Sequence, residues 1–160
     1  MQEKTGYSWG QILLHWLIAA LIVSNWFISE GMEDAFDDSM EGELVTGFAH
    51  LWHVYAGLAV MALVLVRLIL RMRQGAPASM AAGTLADKAA RLVHAALYVL
   101  MAAVPALGAI SWYGGIDATA DLHVLAMNVM MLLALAHAAV ALFHHFVLKD
   151  GLLTRMTRAG

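Results

Sequence analysis

LHVLAMNVMMLLALAHAAVALFHHFVL, residues 122–148, is a run of 27 residues without a single Asp, Glu, Lys or Arg. About 20 apolar residues in an α-helix cross the roughly 30 Å hydrocarbon core of a bilayer. The run is therefore long enough to span a membrane as one helix. It also holds four of the eight histidines of the chain. Ionisable groups inside a membrane are rare and usually functional, so this stretch bears on both the fold and the chemistry.

Three further runs without charge precede it, with lengths of 25, 23 and 25 residues, and they cover residues 5–29, 44–66 and 92–116. The composition agrees, since 62% of the 160 residues are apolar and only 13% are charged. A soluble domain is about half apolar and about a quarter charged. The composition therefore excludes an ordinary soluble domain, a disordered chain and a protein with the basic surface that nucleic acid requires.

The four apolar runs predict an all-α integral membrane protein. Inside lipid every backbone amide must be hydrogen-bonded within the protein, and strands of a barrel would be shorter and alternate in polarity. We expect a single transmembrane domain over residues 1–160, built as a four-helix up-down bundle with both termini in the cytoplasm. The predicted helices cover about residues 8–29, 44–71, 88–112 and 121–148.

The basic residues predict the orientation. In an up-down bundle all nine Lys and Arg fall on one side: Lys4, Arg67, Arg71, Arg73, Lys88, Arg91, Lys149, Arg155 and Arg158. Cytoplasmic loops are rich in Lys and Arg, so this side is expected to face the cytoplasm of a bacterial inner membrane. Nine of the twelve acids fall on the opposite side: Glu30, Glu33, Asp34, Asp37, Asp38, Glu41, Glu43, Asp117 and Asp121. The periplasmic surface is therefore expected to be strongly negative.

The histidines are the candidate ligands of a cofactor. The chain has no cysteine, which excludes a thiolate-bound metal or iron–sulfur cluster. Neutral imidazole binds iron well, and cofactors in helix bundles are held between side chains of facing helices. A single buried histidine is explained equally well by a hydrogen bond between helices. Eight histidines spread over all four predicted helices favour haem iron.

Spacing and depth predict two haems b. His123 and His137 are 14 residues apart on nearly the same face of the fourth helix, a distance of about 21 Å along its axis. This separation suits one haem in each leaflet. His15 and His137 have similar depths near the cytoplasm and are the candidate ligands of the inner haem iron. His53 and His123 are the candidate ligands of the outer haem iron.

The outer pair has a competitor. His50 lies one turn from His53 on a nearby face of the second helix. Gly57 follows His53 by one turn, where a missing side chain would let a flat ring approach the helix. This glycine favours His53 as the ligand, but the sequence leaves both histidines as candidates for the outer haem iron.

Polar side chains near the inner surface have candidate roles other than iron ligation. Arg67, Arg71 and His94 can contact the propionates of the inner haem. The two arginines suit lipid phosphates equally well, and His94 can simply be an interfacial residue. His144 and His145 lie too close to the inner surface to bind a haem. They can line a quinone site or anchor the helix in the interface.

Four segments of the chain resemble the bacterial cytochrome b561 family, which is grouped with the b subunits of nickel hydrogenases and includes a superoxide oxidase branch. The segments are YSWGQILLHW (7–16), HVYAGLAVMALVLVRLILR (53–71), RLVHAALYVLMAAVPALG (91–108) and LHVLAMNVMMLLALAHAAVALFHHFVLKDGLLTRM (122–156). The resemblance implies two b-type haems that exchange electrons with the quinone pool. On it, His15 and His137 match the inner ligands, and His53 and His123 match the outer pair.

The resemblance implies a membrane electron carrier between a periplasmic donor and ubiquinone, with the activity of a quinone-reducing oxidoreductase. In one branch of the family the donor is superoxide. The nine outer acids would repel that anion, so they favour a positively charged redox protein as the donor. The alternative is a haem-bearing membrane-anchor subunit of a larger dehydrogenase or hydrogenase complex, which would have no substrate site of its own.

Overall fold

The protein is built from helices alone over residues 6–79 and 81–160, which the computed structural model describes. Five α-helices follow one another in the chain: α1 (Trp9–Phe27), α2 (Met32–Met40), α3 (Phe48–Gln74), α4 (Leu85–Gly114) and α5 (Asp117–Phe143). A π-helical turn extends α5, and a 3-10 turn follows it: His144–Leu148 and Leu153–Met156.

Four of these helices are long and apolar enough to cross a membrane: α1, α3, α4, and α5 together with its π-helical turn. The predicted all-α class and the four apolar spans are thus confirmed. The acidic segment between α1 and α3 folds into the short helix α2. The up-down order and the cytoplasmic termini remain predictions. Glu3 and Lys4, which enter the expected charge balance, lie outside the described residues.

Local capping decides where the long helices begin and end. The Ser8 hydroxyl accepts from the Gln11 backbone N–H, and the Gln11 side chain accepts from the Ser8 N–H. The Thr84 hydroxyl accepts from the Asp87 N–H, so α4 begins at residue 85 rather than at the predicted residue 88. Side-chain caps of this kind contribute about 1 kcal/mol each. Gly115 ends α4 with a φ of 62°, a left-handed conformation that suits glycine.

The helices pack with α1 against α3, α3 against α4, and α4 against α5. A small core of Ile18, Val60 and Val64 joins α1 to α3, and Tyr98 and Met101 of α4 pack against it. Most other large apolar side chains lie on the outer surface. Each of them forgoes about 1.5–3 kcal/mol of burial free energy in water. Hydrocarbon around the helices removes this cost, as expected for membrane spans.

One end of the molecule is held together by hydrogen bonds between the start of α1 and the end of α3. The Ser8 hydroxyl lies 2.6 Å from Oε1 of Gln74. The Gln11 side chain donates to the Gly75 carbonyl over 3.0 Å. The first turn of α1 therefore lies beside the last turn of α3.

The C-terminal residues join the same end. The indole Nε1 of Trp16 donates to the Met156 carbonyl over 2.8 Å. Arg155 donates to the Ala78 carbonyl, in the loop between α3 and α4, over 2.7 Å. The predicted cytoplasmic end is thus a connected layer of polar contacts.

The absence of cysteine makes the orientation directly testable. Positions 38, on α2, and 76, between α3 and α4, are both exposed. We expect a membrane-impermeant maleimide to label Asp38→Cys in intact spheroplasts, and Ala76→Cys only after the membrane is permeabilised. The reverse pattern would contradict the predicted orientation. Labelling of both positions in intact spheroplasts would contradict the up-down order.

Candidate functional site

A cavity of about 720 Å³ lies between α1, α3, α4 and α5, and residues of α2 line one end of it. Its volume falls within the range of about 300–1,000 Å³ that is typical of cofactor pockets. Most of its wall is apolar. Two histidines line it: His53 of α3 and His123 of α5. Both side chains are half-buried.

These two rings are spaced as ligands of one metal ion. The ring centroids of His53 and His123 lie 6.0 Å apart, with an angle of 71° between the ring planes. Imidazole nitrogens bind a metal ion at about 2 Å, so two rings on opposite sides of one ion have centroids about 6 Å apart. The structure therefore brings together the outer pair that the sequence predicts, from two helices that are not neighbours in the chain.

The hydrogen bonds of the two rings differ. His123 Nδ1 lies 2.8 Å from the carbonyl oxygen of Val104. A carbonyl only accepts, so Nδ1 carries the hydrogen and Nε2 keeps its lone pair. Metal-binding histidines usually donate their second N–H in this way. Nδ1 of His53 is buried without a hydrogen-bond partner in the described part of the chain. The two imidazoles fit the ligand set of a haem iron, and the tautomer of His123 leaves its Nε2 lone pair available.

His50 lies elsewhere. It does not line the cavity, although His53 is only one turn away. It packs against the backbone just before α2 and just before α3: a Cβ added to Gly31 would lie 3.6 Å from its Nε2, and one added to Gly47 would lie 3.2 Å from its Nδ1. Gly57 does line the cavity, and a Cβ there would meet nothing closer than 3.8 Å.

A second group of rings lies at the predicted inner level. The ring centroids of His15 on α1 and His137 on α5 are 6.4 Å apart, at an interplanar angle of 83°. This spacing is again close to the value of about 6 Å for two imidazoles on one metal ion. The His94 ring of α4 comes within 5.1 Å of His137, so a third histidine joins the predicted pair. His94 is exposed on the helix surface, whereas the other two are half-buried.

Arg67 connects the helices around these inner rings. Its guanidinium donates to the Gln11 carbonyl over 2.6 Å and to the Tyr98 hydroxyl over 3.1 Å. Gln11 lies one turn before His15 on α1, and Tyr98 one turn after His94 on α4. Hydrogen bonds to charged groups contribute about 1.5–3 kcal/mol each. Arg67 thus holds α1 and α4 together and brings a fixed positive charge beside the inner histidines.

Arg71 has no such bonds. Its guanidinium makes no hydrogen bond or salt bridge within residues 6–79 and 81–160, and it lines a cavity of about 350 Å³ between α3 and α4. Arg91, His94 and Tyr98 line the same cavity, and Arg91 is paired with Asp87. Of the three predicted propionate contacts, Arg71 and His94 are therefore free to meet an anion at this cavity, whereas Arg67 is engaged with the protein.

The two histidines at the end of α5 differ in their surroundings. Lys149 adopts a left-handed φ of 53°, which ends the π-helical turn and lets the chain reverse. Asp150 then reaches back, so that its Oδ2 lies 2.5 Å from Nδ1 of His144, while the Leu152 N–H donates to its Oδ1 over 3.0 Å. These hydrogen bonds hold the pKa of the Asp150 carboxyl below its usual value. His145 is exposed and has no acidic partner.

The acidic helix α2 lies over the outer cavity, which is the cavity lined by His53 and His123. Ala35 is buried, and the Phe36 ring is 6.5 Å from that of Trp112 on α4. Phe36 itself lines the cavity. Four acids of α2 are exposed: Glu33, Asp34, Asp37 and Asp38. The negative surface is thus attached directly to the wall of the outer cavity.

Several groups that bond to the histidines or to Arg67 are not apparent from the sequence. Tyr98 and Asp150 carry a weak signal, because each lies four to six residues from a histidine and is polar. The Val104 carbonyl carries no signal at all, because every residue has one. Only the three-dimensional packing of α4 on α5 identifies it.

The chain is similar to cytochromes over nearly its whole length. A family model described as prokaryotic cytochrome b561 matches residues 6–159. "Cytochrome b562" of Cereibacter sphaeroides is 46% identical over 158 residues, which cover 99% of both chains. "Cytochrome b561 homolog 1" of Escherichia coli is 31% identical over 172 residues, covering 94% of this chain and 96% of that protein. "Probable superoxide oxidase CybB" of Yersinia pestis is 29% identical over 185 residues, covering 94% of each. No solved structure matches significantly.

Proposed function

The chain belongs to the prokaryotic cytochrome b561 family, and from this premise we propose that it holds two haems b and passes electrons from a periplasmic donor to ubiquinone. Membership makes it a membrane haem protein of electron transfer. The observation that carries the finer proposal is the presence of two imidazole pairs with nearly equal spacing, 6.0 Å and 6.4 Å between ring centroids. The bacterial inner membrane is the proposed location.

Both pairs use α5, which contributes His123 to one and His137 to the other. Fourteen residues of helix separate the two by about 21 Å, so one site lies in each half of the membrane. A bound haem supplies one-electron exchange at its iron. The protein holds the ligand rings in place, keeps water away with apolar walls and supplies fixed charge near the inner site.

The inner site has three histidines for two ligand positions. The spacing of His15 from His137 suits two ligands of one iron, whereas the 5.1 Å between His94 and His137 is shorter than the separation of about 6 Å expected for such ligands. We therefore assign His15 and His137 to the iron. His94 and Arg71 are assigned to the propionates, and Arg67 to holding α1 and α4 together.

The ligand assignment predicts which substitutions remove the same haem. His15→Ala and His137→Ala should each lose the inner haem, and His53→Ala and His123→Ala should each lose the outer one, because one imidazole does not replace a pair. The pyridine haemochrome assay should fall from about two haems per chain to about one. Low-temperature absorption spectra and redox titration identify which haem remains.

His50→Ala is the matched control, since it removes an imidazole one turn from His53 and should keep both haems. Loss of a haem in this variant while His53→Ala keeps two would reverse the outer assignment. If His15→Ala and His137→Ala remove spectroscopically different haems, the inner pairing is wrong. Wild-type protein purified from membranes without haem would overturn the proposal as a whole.

The surface above the outer site favours a positively charged donor. The four exposed acids of α2 create a negative field there, which attracts a cationic protein and repels superoxide. Asp37 and Asp38 stand in the last turns of α2, where negative charge opposes the helix dipole. They therefore weaken the helix, which argues for a role at the surface. The relative named a superoxide oxidase is 29% identical, against 46% for the one named cytochrome b562. We propose a basic redox protein as the donor.

Salt dependence tests this donor. The field reaches about 30 Å at 0.01 M ionic strength and about 8 Å at 0.15 M. A reduced basic cytochrome should therefore reduce the haems at least about 10-fold faster at the lower salt concentration. Superoxide should react more slowly there. Replacing Asp34, Asp37 and Asp38 with asparagine should shrink both effects and leave the haem spectra unchanged, because none of the three lines the outer cavity.

Two results would contradict the proposed donor. Rates of haem reduction that change neither with the salt concentration nor with the charge of α2 would show that the acids only solvate this surface. A superoxide reaction that stays fast at low salt would favour superoxide as the donor.

The inner end of α5 is the proposed place of quinone reduction. A quinone takes up two electrons and two protons to become a quinol, so its site needs a route for protons from the cytoplasm. His144 and Asp150 form a hydrogen-bonded imidazole–carboxylate pair at the predicted membrane boundary. The lowered pKa keeps Asp150 ionised, so its carboxylate accepts a hydrogen bond from the neighbouring imidazole. This pair can deliver protons, one at a time, to a reduced quinone.

Asp150→Asn tests the proton route, because the amide oxygen can still accept from the Leu152 N–H while the charge is lost. Quinone reduction should slow by about 100-fold, as is typical for loss of a positioned acid–base group. Reduction of the haems by the donor should not change. His145→Asn is the control and should keep the wild-type rate. A wild-type quinone rate in Asp150→Asn would disprove the route. If purified wild-type protein takes up electrons but reduces no quinone, the membrane-anchor alternative is favoured.

A further inference from the structure

The contact between α4 and the His123 ring depends on a glycine. His123 donates its Nδ1–H to the Val104 carbonyl over 2.8 Å. Gly108 lies one turn after Val104 on the same face of α4. A Cβ built on Gly108 would lie 3.0 Å from Nδ1 of His123 and 3.1 Å from its Cε1. Real Cβ atoms rarely approach other atoms this closely, so any side chain at position 108 would displace the ring.

Gly108 is not required by its backbone conformation. It lies within the continuous helix α4, and its φ is not in the left-handed region. Glycine is among the least favourable residues in a helix interior, because it has the most conformational freedom to lose. The reason for glycine here is therefore the space that the imidazole occupies.

Gly57 shows that this feature is specific. It lines the same cavity from α3, but a Cβ there would lie 3.8 Å from Asn25 and 3.9 Å from Pro105, which are ordinary contacts. The sequence points to Gly57 as the place where a missing side chain admits a flat ring. The flat ring expected at Gly57 is that of a haem, whereas the missing side chain of Gly108 makes room for the imidazole of His123.

We propose that Gly108 is a positioning residue for the outer haem: it lets His123 reach the Val104 carbonyl, which fixes the tautomer of the ring and leaves its Nε2 free for iron. This inference rests on the proposed function, in which His123 is an outer ligand. The hydrogen bond makes a metal-bound imidazole more basic, which stabilises the oxidised iron. Its loss should therefore raise the reduction potential of the outer haem.

Gly108→Ala and Gly10→Ala form a matched pair of variants, because each adds one methyl group to a helical glycine. Gly10 of α1 lines neither cavity, and a Cβ there would lie 3.8 Å from Leu70, an ordinary contact. In Gly108→Ala we expect the outer haem to bind about 10- to 100-fold more weakly, to titrate at a more positive potential and to change its low-temperature EPR signal. The inner haem, measured in the same sample, should keep its potential and signal. Gly10→Ala should leave both haems unchanged.

Three outcomes would overturn the inference. These are an outer haem in Gly108→Ala that is indistinguishable from wild type, equal changes in both haems, and the same change in Gly10→Ala. If Gly108→Ala does not fold, the reduced wild-type holoprotein with ¹⁵N-labelled histidine still provides a test. A protected Nδ1 proton on His123 supports the inference, and a freely exchanging one overturns it. The proposed function fails separately, if His123→Ala keeps both haems.

Discussion

The structure depends on one constraint: polar groups inside hydrocarbon must find partners within the protein. An unpartnered buried polar group costs several kcal/mol in such surroundings, so the imidazoles limit how the helices can pack. At the outer level the Val104 carbonyl serves His123. At the inner level Arg67 joins α1 to α4 beside the histidines. Five buried side-chain polar atoms lack a partner in the described residues, and three of them belong to residues that line the outer cavity: His53, Asn25 and Ser111. The other two are Nδ1 of His50 and Nε1 of Trp52. Most of these unpartnered atoms therefore lie where a cofactor is expected.

The four spans could be predicted because length and absence of charge alone decide whether a helix crosses a membrane. The ends of the helices could not, because single hydrogen bonds decide them. Thr84 starts α4 at residue 85 through one cap, and the third helix begins at Phe48, four residues after its charge-free run does. The pattern of apolar residues also could not predict helix α2. It is a polar helix whose place depends on Ala35 and Phe36 packing against the ends of other helices.

The histidine pairs could be predicted from depth, because residues at the same level of different spans can meet inside a helix bundle. Depth does not separate His50 from His53, which are one turn apart on similar faces. The course of the chain around α2 separates them, since it brings the backbone of Gly31 and Gly47 against His50 and leaves His53 to the cavity. The approach of His94 to His137 and of His123 to the Val104 carbonyl depends on how α4 packs against α5. Neither contact follows from spacing along one helix.

The fixed charges favour electron flow from the outer site to the inner one. On the proposed assignment an electron moves toward the cytoplasm, against a membrane potential that is negative inside and costs about 2.3 kcal/mol per charge for each 100 mV. The acids of α2 lie above the outer site and destabilise an added electron there. Arg67 acts on the inner histidines from within the protein and stabilises an added electron there. The difference between these two fields offsets part of the cost of the potential. On this proposal, the charge asymmetry that predicts the orientation of the chain also directs electrons inward.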